Sequence, residues 1–126
     1  MQNGNVVAWF EIYVADMERA LAFYRAVFQR ELSALPSQGE DMEMFVFEMA
    51  DGVYGASGAL VKTPMKGPGQ GGTLVYFSCD DVSVESARAA DAGGKVVLPR
   101  MSIGEYGFIA MVEDTEGNVL GLHSMV

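Results

Sequence analysis

Cysteine is almost absent from this chain. Cys79 is the only one, so no intrachain disulfide can form, which suits a reducing, cytoplasmic setting. Basic residues are also scarce, 8 against 17 acidic, for a net charge of -9. A surface of that sign repels phosphate backbones and excludes nucleic acid as the expected partner. It also argues against strongly anionic ligands, although local fields override net charge. No apolar run approaches the roughly 18 residues a membrane helix needs, so no membrane span is expected. The stretch Met1-Gln2-Asn3-Gly4-Asn5 has neither a basic nor an apolar leader region, so no secretory signal is expected.

What is present is an ordinary globular balance: 126 residues, 50% hydrophobic and 20% charged. That length suits one compact domain, or two small modules sharing one core. Residues 6–15 are rich in β-branched and aromatic types and read as a strand. Asp16 follows as a helix N-cap, and Met17, Leu21, Tyr24 and Phe28 recur at helical spacing to an end near Gln29–Arg30. Strands are expected over Glu31–Leu35, Met42–Met49 and Ala56–Lys62, with a break at Pro36-Ser37-Gln38-Gly39 and a turn at Asp51-Gly52.

Residues 64–72 are the densest in glycine and proline and read as a linker; their glycines lack the Gly-Lys-Ser/Thr ending of a phosphate-binding loop. The same order of elements then returns. Thr73–Cys79 reads as a strand, Asp81 as a cap, Val82–Ala92 as a helix ended by Gly93-Gly94, and Lys95–Leu98, Gly107–Glu113 and Val119–Ser124 as strands. Arg100–Gly107 reads as a loop. Aligning Asp16 with Asp81 matches Trp9 with Leu74, Glu11 with Tyr76 and Tyr13 with Ser78. An internal duplication is therefore expected: module one over about 6–63, a linker over 64–72, and module two over 73–126. The expected fold class is α+β, two tandem βαβββ modules whose mixed sheets enclose a cleft.

Three stretches carry a family resemblance. They are Glu11 through Tyr24, a strand, Asp cap and helix ending in Phe23-Tyr24; Cys79-Asp80-Asp81-Val82 through Ala92-Gly93-Gly94-Lys95-Val96; and Ala110 through Asn118, with Asp114-Thr115-Glu116-Gly117-Asn118 as its turn. In this order and spacing the chain resembles the vicinal oxygen chelate superfamily, the glyoxalase, bleomycin-resistance and extradiol-dioxygenase group. The resemblance covers nearly the whole chain and implies the paired-module fold and a homodimer. It also implies a divalent metal held by His, Gln or Glu from the first and last strand of each module. Carried over residue by residue, those positions are Trp9 (seven before the Asp cap), Leu74, Gly121 (four past Gly117) and about Ala59. None has a metal-ligating side chain, so no metal and no other cofactor is expected.

The two-residue period of a strand then names a candidate lining. Trp9, Glu11 and Tyr13 share a face; so do Leu74, Tyr76 and Ser78; so do Val119, Gly121 and His123. Arg100 and Tyr106, in the loop before the penultimate strand, are further contact candidates. The result is an aromatic pocket with few polar groups. Glu11, in such surroundings, is expected to have a raised pKa and to suit general acid–base work, or else to be a structural hydrogen-bond partner. His123 reads either as its partner or as a surface residue. Cys79 falls on the opposite face from Ser78 and is expected to pack against the helix. Three functions stay open: binding of a small apolar or aromatic molecule without a metal; a metal-free lyase or isomerase using Glu11 and His123; and a metal-dependent lyase or dioxygenase-type enzyme with relocated ligands, a third coming from Glu105, Glu113 or a second chain.

Overall fold

The computed structural model describes residues 4–36 and 41–126. Of the expected break at Pro36-Ser37-Gln38-Gly39, the last three residues lie outside the described ones, as do Met1, Gln2 and Asn3. Among the described residues there are eight strands, two α-helices and one 3-10 turn. They form an α+β protein that repeats β-α-β-β-β, as expected from the duplicated plan.

The first round comprises β1 (Val7–Tyr13), α1 (Met17–Phe28), β2 (Leu32–Leu35), β3 (Glu43–Phe47) and β4 (Ser57–Lys62). Its strand order is β2-β3-β4-β1, with the first two pairings antiparallel and β4 parallel to β1. Asp16 caps α1 by accepting from Arg19 N at 3.0 Å. The helix closes on Gln29, which adopts a left-handed conformation at φ 56° and returns its N–H to Arg25 O. Leu60 of β4 and Ile12 of β1 face α1 and pack with Met17, Leu21 and Leu32, while Phe45 and Phe47 close the cluster from β3.

The second round comprises β5 (Thr73–Ser78), α2 (Val82–Asp91), β6 (Lys95–Ser102), the 3-10 turn Gly104–Tyr106, β7 (Phe108–Glu113) and β8 (Val119–Ser124). Its order, β6-β7-β8-β5, repeats the first arrangement, again with the last pair parallel. Asp81 caps α2 through Ser83 N at 2.9 Å, and Val82 N donates to Ser124 Oγ at 3.1 Å, pinning the helix start to β8. At the other end Gly93 takes φ 102°, which a side chain would disfavour. Ala110, Val112 and Leu122 form the core with Cys79 and Val82.

One expected loop is corrected. β6 runs on through Arg100 and Met101 to Ser102, and only Gly104–Tyr106 forms a turn. Proline at 99 masked the strand, because proline cannot donate to a ladder. β6 is the terminal strand of its unit's order, and two register shifts against β7, between Val96 and Leu98 and between Leu98 and Met101, accommodate Pro99.

The chain divides into two compact units, Trp9–Thr73 and Leu74–Val126, the latter joined by the N-terminal residues through Ala8. The start of β1 thus belongs with the second unit, where Val6 O accepts from Ser78 N at 2.8 Å.

Candidate functional site

In each unit the sheet has one face on its helix and one face away from it. In the first unit Ile12 and Val14 go to the helix, which leaves Trp9, Glu11 and Tyr13 on the other face of β1. The pairing sets Glu11 beside Ala59 and Tyr13 beside Val61. Val46 of β3 lies next to Ala59, and Ala59, Val61 and Val46 are all buried. Beside β1 the helix-free face of the first unit is mainly apolar, with Ser57 of β4 next to Trp9 and Ser33 of β2 next to Val46 as its other polar residues.

Those groups bond to one another. Trp9 Nε1 donates to Glu11 Oε2 at 3.3 Å, and Tyr13 Oη donates to Glu11 Oε1 at 2.7 Å. Residues two apart on a strand point the same way, so one carboxylate is held from both sides by indole and phenol. Tyr13 is buried, while Trp9 and Glu11 are half-buried. Lys66, from the segment after β4, brings Nζ to 5.5 Å from the Tyr13 ring centre, a cation–π approach. Residues 64–72, read from sequence as a linker, supplied no signal for that contact. Its geometry comes from a fold-back in which Gly72 O accepts from Tyr13 N at 2.8 Å.

In the second unit Leu74, Tyr76 and Ser78 occupy the helix-free face of β5, and Val119, Gly121 and His123 that of β8. Tyr76 pairs with Gly121 and Ser78 with His123. The Tyr76 ring lies over Gly121, occupying the space a side chain there would take; a Cβ at Gly121 would collide with Tyr76 Cδ1. A glycine backbone covered by a cross-strand aromatic ring is a recurring device of sheets. Leu74 and Tyr76 are buried, and Val119 is exposed at the strand start.

His123 Nε2 lies 2.6 Å from Tyr106 O. A carbonyl only accepts, so Nε2 carries the proton and Nδ1 is the free ring nitrogen of the neutral form. Tyr106 thus meets His123 through its backbone, and its ring is exposed. Arg100 lies elsewhere. Its guanidinium sits 3.7 Å from the Phe108 ring centre, and Phe108 packs on the α2 side. Structure thus gathers Trp9, Glu11 and Tyr13 in one unit, and Tyr76, Ser78, Gly121 and His123 in the other, and sets Arg100 apart.

Cys79 packs into the α2 cluster and donates Sγ toward Phe77 O at 3.6 Å. Burial first, then the nearby Glu85 carboxylate, pushes its thiol up to about 11. It is a structural residue without thiolate character near neutral pH.

The four positions where the family resemblance implies metal ligands do not fit a cation. The register confirms Ala59 as the counterpart of Gly121, since Glu11 pairs with Ala59 as Tyr76 pairs with Gly121. Ala59 and Leu74 are buried apolar residues, and Gly121 lies under the Tyr76 ring. At the fourth, the Trp9 indole nitrogen is an N–H donor engaged with Glu11. Among the described residues no group of three His, Cys, Asp or Glu side chains could hold a metal ion. No helix among them is long and apolar enough to cross a membrane.

Comparison with known proteins gives this geometry a family. The model of the Glyoxalase/Bleomycin resistance protein/Dioxygenase superfamily matches residues 6–122. The chain is 30% identical over 123 residues to proteins named "Putative glyoxylase CFP32" from Mycobacterium bovis and Mycobacterium tuberculosis, across 96% of this chain. It spans 44% of those relatives' length, less than half. Methylmalonyl-CoA epimerase from Mycobacterium tuberculosis shares the fold at TM-score 0.69 and 15% identity, over 100% of this chain and 93% of that one. A variant of 4-hydroxymandelate synthase from Streptomyces coelicolor does so at TM-score 0.69 and 19% identity, over 96% of this chain and 38% of that one. The chain belongs to the Glyoxalase/Bleomycin resistance protein/Dioxygenase superfamily.

Proposed function

We propose that this protein binds a small apolar or aromatic molecule against the helix-free sheet face that carries Trp9, Glu11 and Tyr13, and does so without a metal at the family's ligand positions. One observation carries the reading: a single carboxylate, Glu11, is fixed by the Trp9 indole and the Tyr13 hydroxyl beside Ala59, Val61 and Val46. Few polar groups among aromatic and aliphatic walls is the usual make-up of a small-molecule site. The helix-free face of the second unit carries its own aromatic surface, the Tyr76 ring over Gly121. Leu74, Val119 and Gly121 are its apolar walls. A homodimer in a reducing, cytoplasmic compartment belongs to the same reading.

Trp9 is the only tryptophan, so intrinsic fluorescence reports on this face without a label. Titration with 1,4-naphthoquinone, an uncharged aromatic quencher, is expected to quench Trp9 saturably. Glu11→Gln and Tyr13→Phe should each shift the half-saturation point. Linear, unsaturable quenching, unchanged in both variants, would refute the site.

A second reading is favoured by the proton geometry. Tyr13 and Glu11 share a short hydrogen bond, and His123 presents Nδ1 while Nε2 is anchored on Tyr106 O. Glu11 in the first unit and His123 in the second are each a kind of group that a metal-free lyase or isomerase uses for proton transfer. The test is turnover of a carbonyl substrate panel. Loss of turnover in Glu11→Gln with binding retained would support catalysis, and unchanged turnover would end it.

A further inference from the structure

We propose that the molecule taken by the helix-free face of β1 is an organic cation, an aromatic or apolar amine whose ammonium sits against the Glu11 carboxylate and the Tyr13 ring, with Trp9 beside it. This inference rests on the reading of that face as the ligand site and names the chemical class the site selects.

The carboxylate supplies the first part of the argument. Glu11 is half-buried, and both of its hydrogen bonds come from uncharged donors, Trp9 Nε1 and Tyr13 Oη. Neutral donors orient a carboxylate but do not cancel its charge. Among the described residues Glu11 makes no ion pair. Exposed carboxylates without a cation are neutralised by water. Glu11 instead borders Ala59, Val61 and Val46, all buried, where an uncompensated charge is costly. A ligand of opposite charge removes that cost. The net charge of -9 adds a long-range attraction of the same sign.

The rings supply the second part. Indole and phenol faces attract ammonium groups, and such rings grouped with a carboxylate suit alkylated amines. Tyr13 already shows the property. Lys66 Nζ lies 5.5 Å from its ring centre, inside the range of a cation–π contact, and does not close on Glu11 as an ion pair. Lys66 is thus an internal ammonium at this seat, and an incoming cation exchanges with it. The neighbours of Lys66 in the chain are held at the surface: Met65 is 90% exposed, and Gly67 is exposed too. Moving the Lys66 side chain therefore disturbs no core.

The test compares benzyltrimethylammonium, benzyl alcohol and phenylacetate, which share a ring and carry positive, zero and negative charge. Each competes with 1,4-naphthoquinone for Trp9 in the whole protein at fixed ionic strength. The cation is expected to compete about tenfold more strongly than the alcohol, and phenylacetate least. Glu11→Gln should erase the advantage of the cation over the alcohol. Glu116→Gln makes the same change of net charge at an exposed turn and should leave that advantage in place. Lys66→Gln should raise the affinity for the cation about threefold by removing the internal competitor, whereas loss of a mere brace would lower it. Saturable quenching by naphthoquinone with the cation no better than the alcohol would overturn this inference and leave the ligand site standing. Unsaturable quenching would remove both. A cation preference that survives Glu11→Gln would also overturn the inference, because net charge would then explain it. Lys66→Gln carries the test if the Glu11 variant does not fold; unchanged or weaker cation binding there would contradict the exchange.

Discussion

Tyr13 donates its hydroxyl to Glu11 Oε1 at 2.7 Å from two positions along the same strand. Trp9 reaches the other carboxylate oxygen from two positions before. Three consecutive outward positions of β1 thus form one polar group set in an apolar face. Removing its centre separates shape from charge. Glu11→Ala removes the acceptor of both the Tyr13 hydroxyl and the Trp9 indole N–H, and should cost about 2 kcal/mol of stability. Glu11→Gln keeps an acceptor oxygen and should cost about 1 kcal/mol or less. Urea unfolding followed at Trp9 measures both; equal costs would mean the two donors do not depend on Glu11.

Gly121 and Tyr76 make the second prediction. A Cβ at Gly121 collides with the Tyr76 ring, so Gly121→Ala must displace it and should cost about 2 kcal/mol, within the usual range for overpacking. Combining it with Tyr76→Leu should recover part of that loss, giving a coupling of about 1 kcal/mol in a double-mutant cycle. Additive losses would contradict the contact.

Cys79 gives a pH prediction. Burial holds its folded-state pKa up at about 11, above the ordinary thiol value of 9.0. The folded state therefore holds its proton over a range in which the unfolded state has lost it. This contribution is fully present below about pH 9 and is lost as pH rises toward about 11, by an amount on the order of 2 kcal/mol. Cys79→Ser or Cys79→Ala should flatten the alkaline limb of a stability–pH curve. In the native wild type at pH 8 the thiol should react with a disulfide reagent only at the rate of unfolding.

Asp114 works in the opposite direction. Its carboxylate accepts from Asn118 N at 2.9 Å, from the Asn118 side chain at 3.2 Å and from Glu116 N at 2.8 Å, and these bonds hold its carboxyl below the usual range. Stability from this turn is present above the ordinary carboxylate pKa and is lost as pH falls through the lowered folded value. Asp114→Ala should lower the melting temperature at pH 7 and narrow its gap to wild type in strong acid. A gap independent of pH would remove the carboxylate from the turn's energetics.

Much of this architecture was legible because it rests on local chemistry. Asp16 and Asp81 announced both helix starts, and the two-residue period placed Trp9 with Glu11 and Tyr13, and Cys79 away from Ser78. Equal spacing around the caps announced the repeated plan, which the matching strand orders bear out. Other features depend on pairing between distant segments, which periodicity does not encode. Bulges in β6 admit Pro99 and carry Arg100 away from the expected loop onto Phe108. A glycine at 121 reads as an empty position, yet its meaning is the Tyr76 ring that fills it. Lys66 looks like linker composition until the fold-back of residues 64–72 sets it over Tyr13.

The central claim is a small-molecule site that works without a metal at Trp9, Ala59, Leu74 and Gly121. Native mass spectrometry of protein purified without added metal tests it most directly. The account predicts a protein mass free of stoichiometric divalent metal that gains one ligand per chain when 1,4-naphthoquinone is added. A divalent metal retained at one per chain, and lost together with ligand binding on chelation, would contradict it.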